Sequence, residues 1–109
     1  MSAVAGDIRK HFKSAFGLQD AAVERLVETS RTALAQGLGA LRGALDQSDA
    51  DGASHWAHSI KGNLLNAGLA DLAAQAEDIE RRAMRGDTVT PCANLLRLDE
   101  ALRPFLNGH

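Results

Sequence analysis

Cysteine, proline and aromatic residues are scarce in this sequence, and each scarcity removes a class of protein. One Cys in 109 residues cannot close an intrachain disulfide, and a zinc framework would have to rest on the four His and on carboxylates. A reducing compartment is the expected setting. Two Pro and ten Gly, with no low-complexity run, argue against collagen-like and disordered chains. Twelve Lys and Arg stand against fourteen Asp and Glu, a formal net charge of −2, so no broad attraction to a nucleic-acid backbone is expected. No apolar stretch approaches the roughly 20 residues that span a bilayer, and the N-terminus lacks a basic segment followed by an apolar core. The sequence therefore predicts neither nucleic-acid binding nor membrane insertion, and places the chain in the cytoplasm.

What the chain does have is hydrophobic residues, 45% of it, recurring at steps of three and four with no β-branched alternation. That pattern predicts an all-α protein. Val4, Ile8, Phe12 and Ala15 put one stripe on a short first helix over about 4–16, with Gly17 at a left-handed terminus. Asp20 is the predicted N-cap of a longer helix reaching about Asp46, whose seam is Val23, Leu26, Val27, Ser30, Leu34, Leu38, Leu41 and Leu45. Gly37, Gly39 and Gly43 lie inside it. Each costs up to about 1 kcal/mol relative to Ala, so they read as sites of close helix approach or gentle bending rather than as an end.

Ser48 with Asp51 three residues later resembles a capping box, with Asp49 as the alternative cap. A third helix starts there, on the narrow stripe Ala53, Ala57, Ile60, Leu64 and Ala67. Leu69, Leu72, Ala76, Ile79 and Ala83 define a fourth, running out at Arg85, Gly86 and Asp87. Thr90 before Pro91 opens a fifth that carries Leu95, Leu98, Leu102 and Phe105. Pro104 is expected to kink or end it, ahead of a polar tail of Asn107, Gly108 and His109. Four long amphipathic segments with short links predict an up-down-up-down antiparallel four-helix bundle in one domain over 1–109, with the short first helix packed across one end.

Chemistry gathers on the third helix. With Ala53, Ala57, Ile60 and Leu64 turned inward, a step of about 100° per residue turns His58 away from the core, near Ser54, Gly62 and Leu65. Lys61 lies one turn on, and Gly62 removes a side chain at a cost to the helix. A bare backbone beside an exposed imidazole and an ammonium suits the close approach of another macromolecule; a small substrate would need a pocket. An imidazole offers an unprotonated ring nitrogen near neutral pH, free to attack or to ligate, and an adjacent cation can offset negative charge arriving on it.

The run Ala57-His58-Ser59-Ile60-Lys61-Gly62, followed by Asn66, Gly68, Leu72, Ile79 and Glu80 and preceded by Asp49, resembles the histidine-containing phosphotransfer (HPt) domain of bacterial phosphorelays over about 49–85. The signature is H-x-x-K-G with a second glycine six residues after the first, where Gly68 stands. The resemblance implies a carrier whose His58 takes a phosphoryl group on Nε2 from a receiver-domain phospho-aspartate and relays it to another receiver. Lys61 would stabilise the phosphoryl oxygens. Glu80 falls where such domains often carry Glu or Gln against the histidine, an acceptor that would fix the Nδ1–H tautomer; it is equally an ordinary solvated helix glutamate. Ser54, Gly62, Leu65 and Gly68 would contribute to partner docking, although Leu65 also reads as a residue half-covered by a neighbouring helix. No intrinsic cofactor or metal is implied: there is no glycine-rich phosphate loop, and Mg²⁺ would sit on the receiver. Response-regulator receivers and a hybrid sensor histidine kinase would be the partners of a monomer.

Two other readings come from the residues. His55 and His58, at i and i+3, would form a weak surface metal site, although both lie off the inward stripe where bundle metal sites gather ligands. A helical interaction module without chemistry is the third. Arg81, Arg82 and Arg85 would bring positive charge toward a phosphoryl group, or simply complement the end of their helix. Trp56 is expected to cover apolar surface with its indole N–H wet, and Cys92 to be a small packed side chain.

Overall fold

A computed structural model of the protein describes residues 3–107. They form α1 (Ala3–Phe16), α2 (Asp20–Asp46), α3 (Ala50–Asn66), α4 (Ala70–Met84) and α5 (Pro91–Leu106), with no strand among the described residues. The all-helical expectation holds. At 1.5 Å rise per residue, the 27 residues of α2 span about 40 Å, close to the 43 Å long axis of the molecule. Helix α3 packs between α2 and α4, and α5 packs against α4 and α2, so these four close a ring, while α1 lies on α2 and α5. Gly108 and His109 of the polar tail fall outside the described residues.

The inward stripes meet in one core. Ala53, Ala57, Ile60, Leu64 and Ala67 are buried, facing Ala73, Ala76, Ile79 and Ala83 of α4, Val27, Leu34, Leu38 and Leu41 of α2, and Leu95, Leu98, Leu102 and Phe105 of α5. On α1 the buried residues are Ala5, Ile8 and Phe12, with Val4 partly buried against the core, whereas Ala15 is exposed. Of the three glycines in α2, only Gly37 lies at a close approach: a Cβ there would stand 2.9 Å from Ile60 Cγ1, whereas Gly39 and Gly43 face open space. The helix runs unbroken through all three.

Several termini differ from expectation. Gln19, not Asp20, occupies the N-cap of α2 and makes no side-chain cap bond; the Asp20 carboxylate is drawn instead to Lys13 Nζ at 2.7 Å. Asp49 is the cap of α3, accepting from the Gly52 amide at 2.9 Å, while Ser48 sits at φ 55° and forms no capping box. Helix α5 continues two residues past Pro104, because a proline this close to a helix end forfeits a single amide bond. At its start, the Asp87 carboxylate accepts from the Val89 and Thr90 amides. Cys92 is exposed rather than packed, its thiol directed at the Thr88 carbonyl one turn back.

Gly68, in the turn between α3 and α4, has φ +80°, and a Cβ there would lie 2.5 Å from Cγ of the His11 ring on α1. A side chain is thus opposed by backbone strain and by steric overlap together. Gly68→Ala is expected to cost about 1–3 kcal/mol, read as a lower urea midpoint with an unchanged m-value; an unaltered midpoint would mean that neither the left-handed backbone nor the His11 ring opposes a side chain there.

Candidate functional site

Two neighbouring core stripes create the site. His58 follows the buried Ala57 on α3 and Glu80 follows the buried Ile79 on α4, so both side chains emerge along the seam where these helices pack. His58 is 69% exposed and Glu80 only 14%. The His58 Nδ1 lies 2.8 Å from Glu80 Oε2, and Lys61 Nζ donates to the other oxygen, Oε1, at 2.7 Å. One carboxylate therefore serves an imidazole and an ammonium. A carboxylate only accepts, so the hydrogen of this contact is on Nδ1 and the lone pair of the neutral ring is on Nε2.

Burial pushes the Glu80 carboxyl up, but the hydrogen bonds from Lys61 and His58, with their charges, outweigh it and hold the group below the ordinary carboxylate range. A carboxyl lowered in the folded state contributes stability above its unfolded value, and that stability disappears as pH falls through the lowered folded value. Wild type should therefore exceed Glu80→Gln in stability at neutral pH, with the gap closing below about pH 4. Urea midpoints measured across an acid series check this; a gap independent of pH would mean that the carboxylate charge is not what matters.

The other sequence-predicted residues divide. Ser54 is half-buried one turn before His58, Gly62 lies one turn after it with nothing within 4 Å of the place a Cβ would take, and Leu65 is 53% exposed two turns on. These share the His58 side of α3. Gly68 does not join them, because it is spent on the α3–α4 turn beneath His11. His55 is exposed and stands edge-on to Trp56, ring centroids 5.1 Å apart. Trp56 itself is half-buried against the core, as expected. Among the described residues no group of three or more His, Cys, Asp or Glu is arranged to hold a metal ion, so His55 and His58 have no third ligand there. Arg81 and Arg82 are tied to Asp78, which also receives Asn94 of α5.

Sequence reasoning put Lys61 beside the imidazole and missed that Glu80 would claim it. The signal was available: a Lys one turn from His58 on α3 and a carboxylate at the edge of the α4 stripe must share one seam. It also passed over Met84, one turn beyond Glu80 and 70% exposed, an apolar side chain off the core stripe on the helix that carries the carboxylate.

A family model described as the Hpt domain matches residues 22–106, which takes in nearly all of α2 and the whole of α3, α4 and α5, and leaves α1 outside. No curated protein and no solved structure matches the chain.

Proposed function

The chain belongs to the Hpt domain family, and on that premise we propose that it is a phosphoryl carrier in which His58 is the acceptor. The observation that carries this reading is the Glu80-held ring: Nδ1 is engaged at 2.8 Å on a side chain that is 69% exposed, leaving Nε2 toward solvent. The Nε2 lone pair attacks phosphorus of a receiver's aspartyl phosphate, an N–P bond forms, the P–O bond breaks, and its electron pair leaves on the aspartate carboxylate. Lys61 offsets charge on the phosphoryl oxygens, and Ser54, Gly62 and Leu65 lie under the receiver. Gly68 serves docking only through the turn it shapes. Mg²⁺ belongs to the receiver in this scheme, and this chain contributes nucleophile, orientation and surface.

The fold is read as an up-down-up-down antiparallel four-helix bundle with α1 across one end, forming one domain over 1–109. The closed ring of helix contacts, the short links 47–49 and 67–69 and the seat of His11 on the α3–α4 turn support it. Partners are response-regulator receivers and a hybrid sensor histidine kinase, met by a cytoplasmic monomer; no helix among the described residues is long and apolar enough to cross a membrane.

Incubation with a phosphorylated receiver tests the proposal: acid-labile, alkali-stable label on this chain is expected, and failure to label would leave a scaffold without chemistry. Gly62 offers a sharper check. Nothing lies within 4 Å of a Cβ added there, so Gly62→Ala should raise stability by up to about 1 kcal/mol while slowing transfer from the receiver. A stabilised variant with unchanged transfer would remove Gly62 from the docking surface.

A further inference from the structure

Resting on that phosphotransfer reading, we infer that Glu80 retains the proton on Nδ1 of His58 after phosphorus has bonded to Nε2, and so keeps phospho-His58 ready to give the group up. When the N–P bond forms, Nδ1 keeps its hydrogen and the ring acquires a positive charge. Two fates follow for that charge. If the Nδ1 proton is lost to water, onward transfer must expel an imidazolate, a strong base and a poor leaving group. If the proton stays, the electron pair of the N–P bond returns to Nε2 of a neutral imidazole as the acceptor aspartate forms its new O–P bond. No other proton needs to move.

The geometry favours the second fate. Glu80 Oε2 stands 2.8 Å from Nδ1 on a side chain only 14% exposed, where a carboxylate favours the charged form of a hydrogen-bonded ring and is weakly screened. The Lys61 ammonium, which would oppose a cationic ring, is held on the other oxygen at 2.7 Å. The other exposed charged groups of these two helices are Asp51 and His55 on α3 and Asp71, Glu77 and Arg81 on α4, and Arg81 is held by Asp78. Charged groups of α2, the other helix packed on α3, turn elsewhere: Glu24 to Arg9, Arg31 to the Phe105 carbonyl and its neighbour Glu28, Arg42 to Asp99, while Arg25 and Asp46 are exposed toward opposite ends of the helix. Among the described residues, only Glu80 brings a carboxylate to hydrogen-bond distance of the ring. It acts as a positioning residue, through the imidazole rather than on phosphorus.

The test loads wild type, Glu80→Gln and Glu80→Asp with phosphoramidate, a small donor that bypasses the receiver, and follows the phosphohistidine ³¹P signal and its decay across the neutral pH range. In Glu80→Gln the half-life of phospho-His58 just above neutrality should lengthen, by up to about tenfold. Glu80→Asp, which keeps the charge, should restore the wild-type profile. Superimposable profiles for wild type and Glu80→Gln would overturn the inference while leaving His58 as acceptor. A folded Glu80→Gln that takes no label would place the carboxylate earlier, at the nucleophile, and would also overturn it. Wild type that takes no label on His58 would bring down the phosphotransfer reading itself.

Discussion

His58→Gln is expected to reduce phosphoryl acceptance from a receiver to background, a loss of at least about 10³-fold, while leaving the urea midpoint within about 0.5 kcal/mol of wild type. The two halves of this result have separate causes. The side chain is 69% exposed and its hydrogen-bond partner is Glu80, so the core loses nothing. A carboxamide can still donate to Glu80 Oε2, but its nitrogen has no lone pair free to attack phosphorus. Transfer assays beside unfolding curves separate the effects. A variant that unfolds would show that the imidazole is part of the packing, and residual transfer would show that another residue accepts the group.

The largest effect on stability is expected from Ile60→Ala. Ile60 is fully buried, two residues beyond His58, and its Cγ1 fills the space beside Gly37 on α2. Truncation removes buried methylene groups and leaves a cavity between α2 and α3, at about 2–5 kcal/mol. Set against a total of about 5–15 kcal/mol for an ordinary domain, that is enough to lower the thermal midpoint strongly. Gly37→Ala places a methyl 2.9 Å from Ile60 Cγ1, so in the wild-type background it overpacks. In the Ile60→Ala background the same methyl enters vacated space. The double variant should therefore be more stable than the sum of the singles predicts, by about 0.5–3 kcal/mol. Strict additivity would show that α2 and α3 do not meet at this pair.

Much of this was legible because α3 has a narrow inward stripe. Small residues at Ala53 and Ala57 with Ile60 and Leu64 leave one possible core side, and that alone turns His58, Gly62 and Leu65 outward. Glu80 was legible only as one of two alternatives: its position beside Ile79 puts it at a helix edge, but whether an edge residue meets the next helix or water depends on which helix lies there. Contacts across elements were the least readable. The ring of His11 over Gly68, the Lys61 bond to Glu80, and Asp20 reaching Lys13 rather than capping α2 each join residues on different helices or turns, and periodicity within one helix carries no information about its neighbour. Cys92 was misread for a related reason. It lies one position from the buried Pro91, and close to a helix start small changes in phase move a residue from core to solvent.

The most direct test is to identify which nitrogen carries phosphorus. Protein with ¹⁵N-labelled histidine, phosphorylated by a receiver and examined by ³¹P–¹⁵N correlation, should show one phosphohistidine, with phosphorus coupled to Nε2 of His58 and a hydrogen still on Nδ1. Phosphorus on Nδ1, or on His11 or His55, would contradict the arrangement in which Glu80 holds one face of the ring and offers the other.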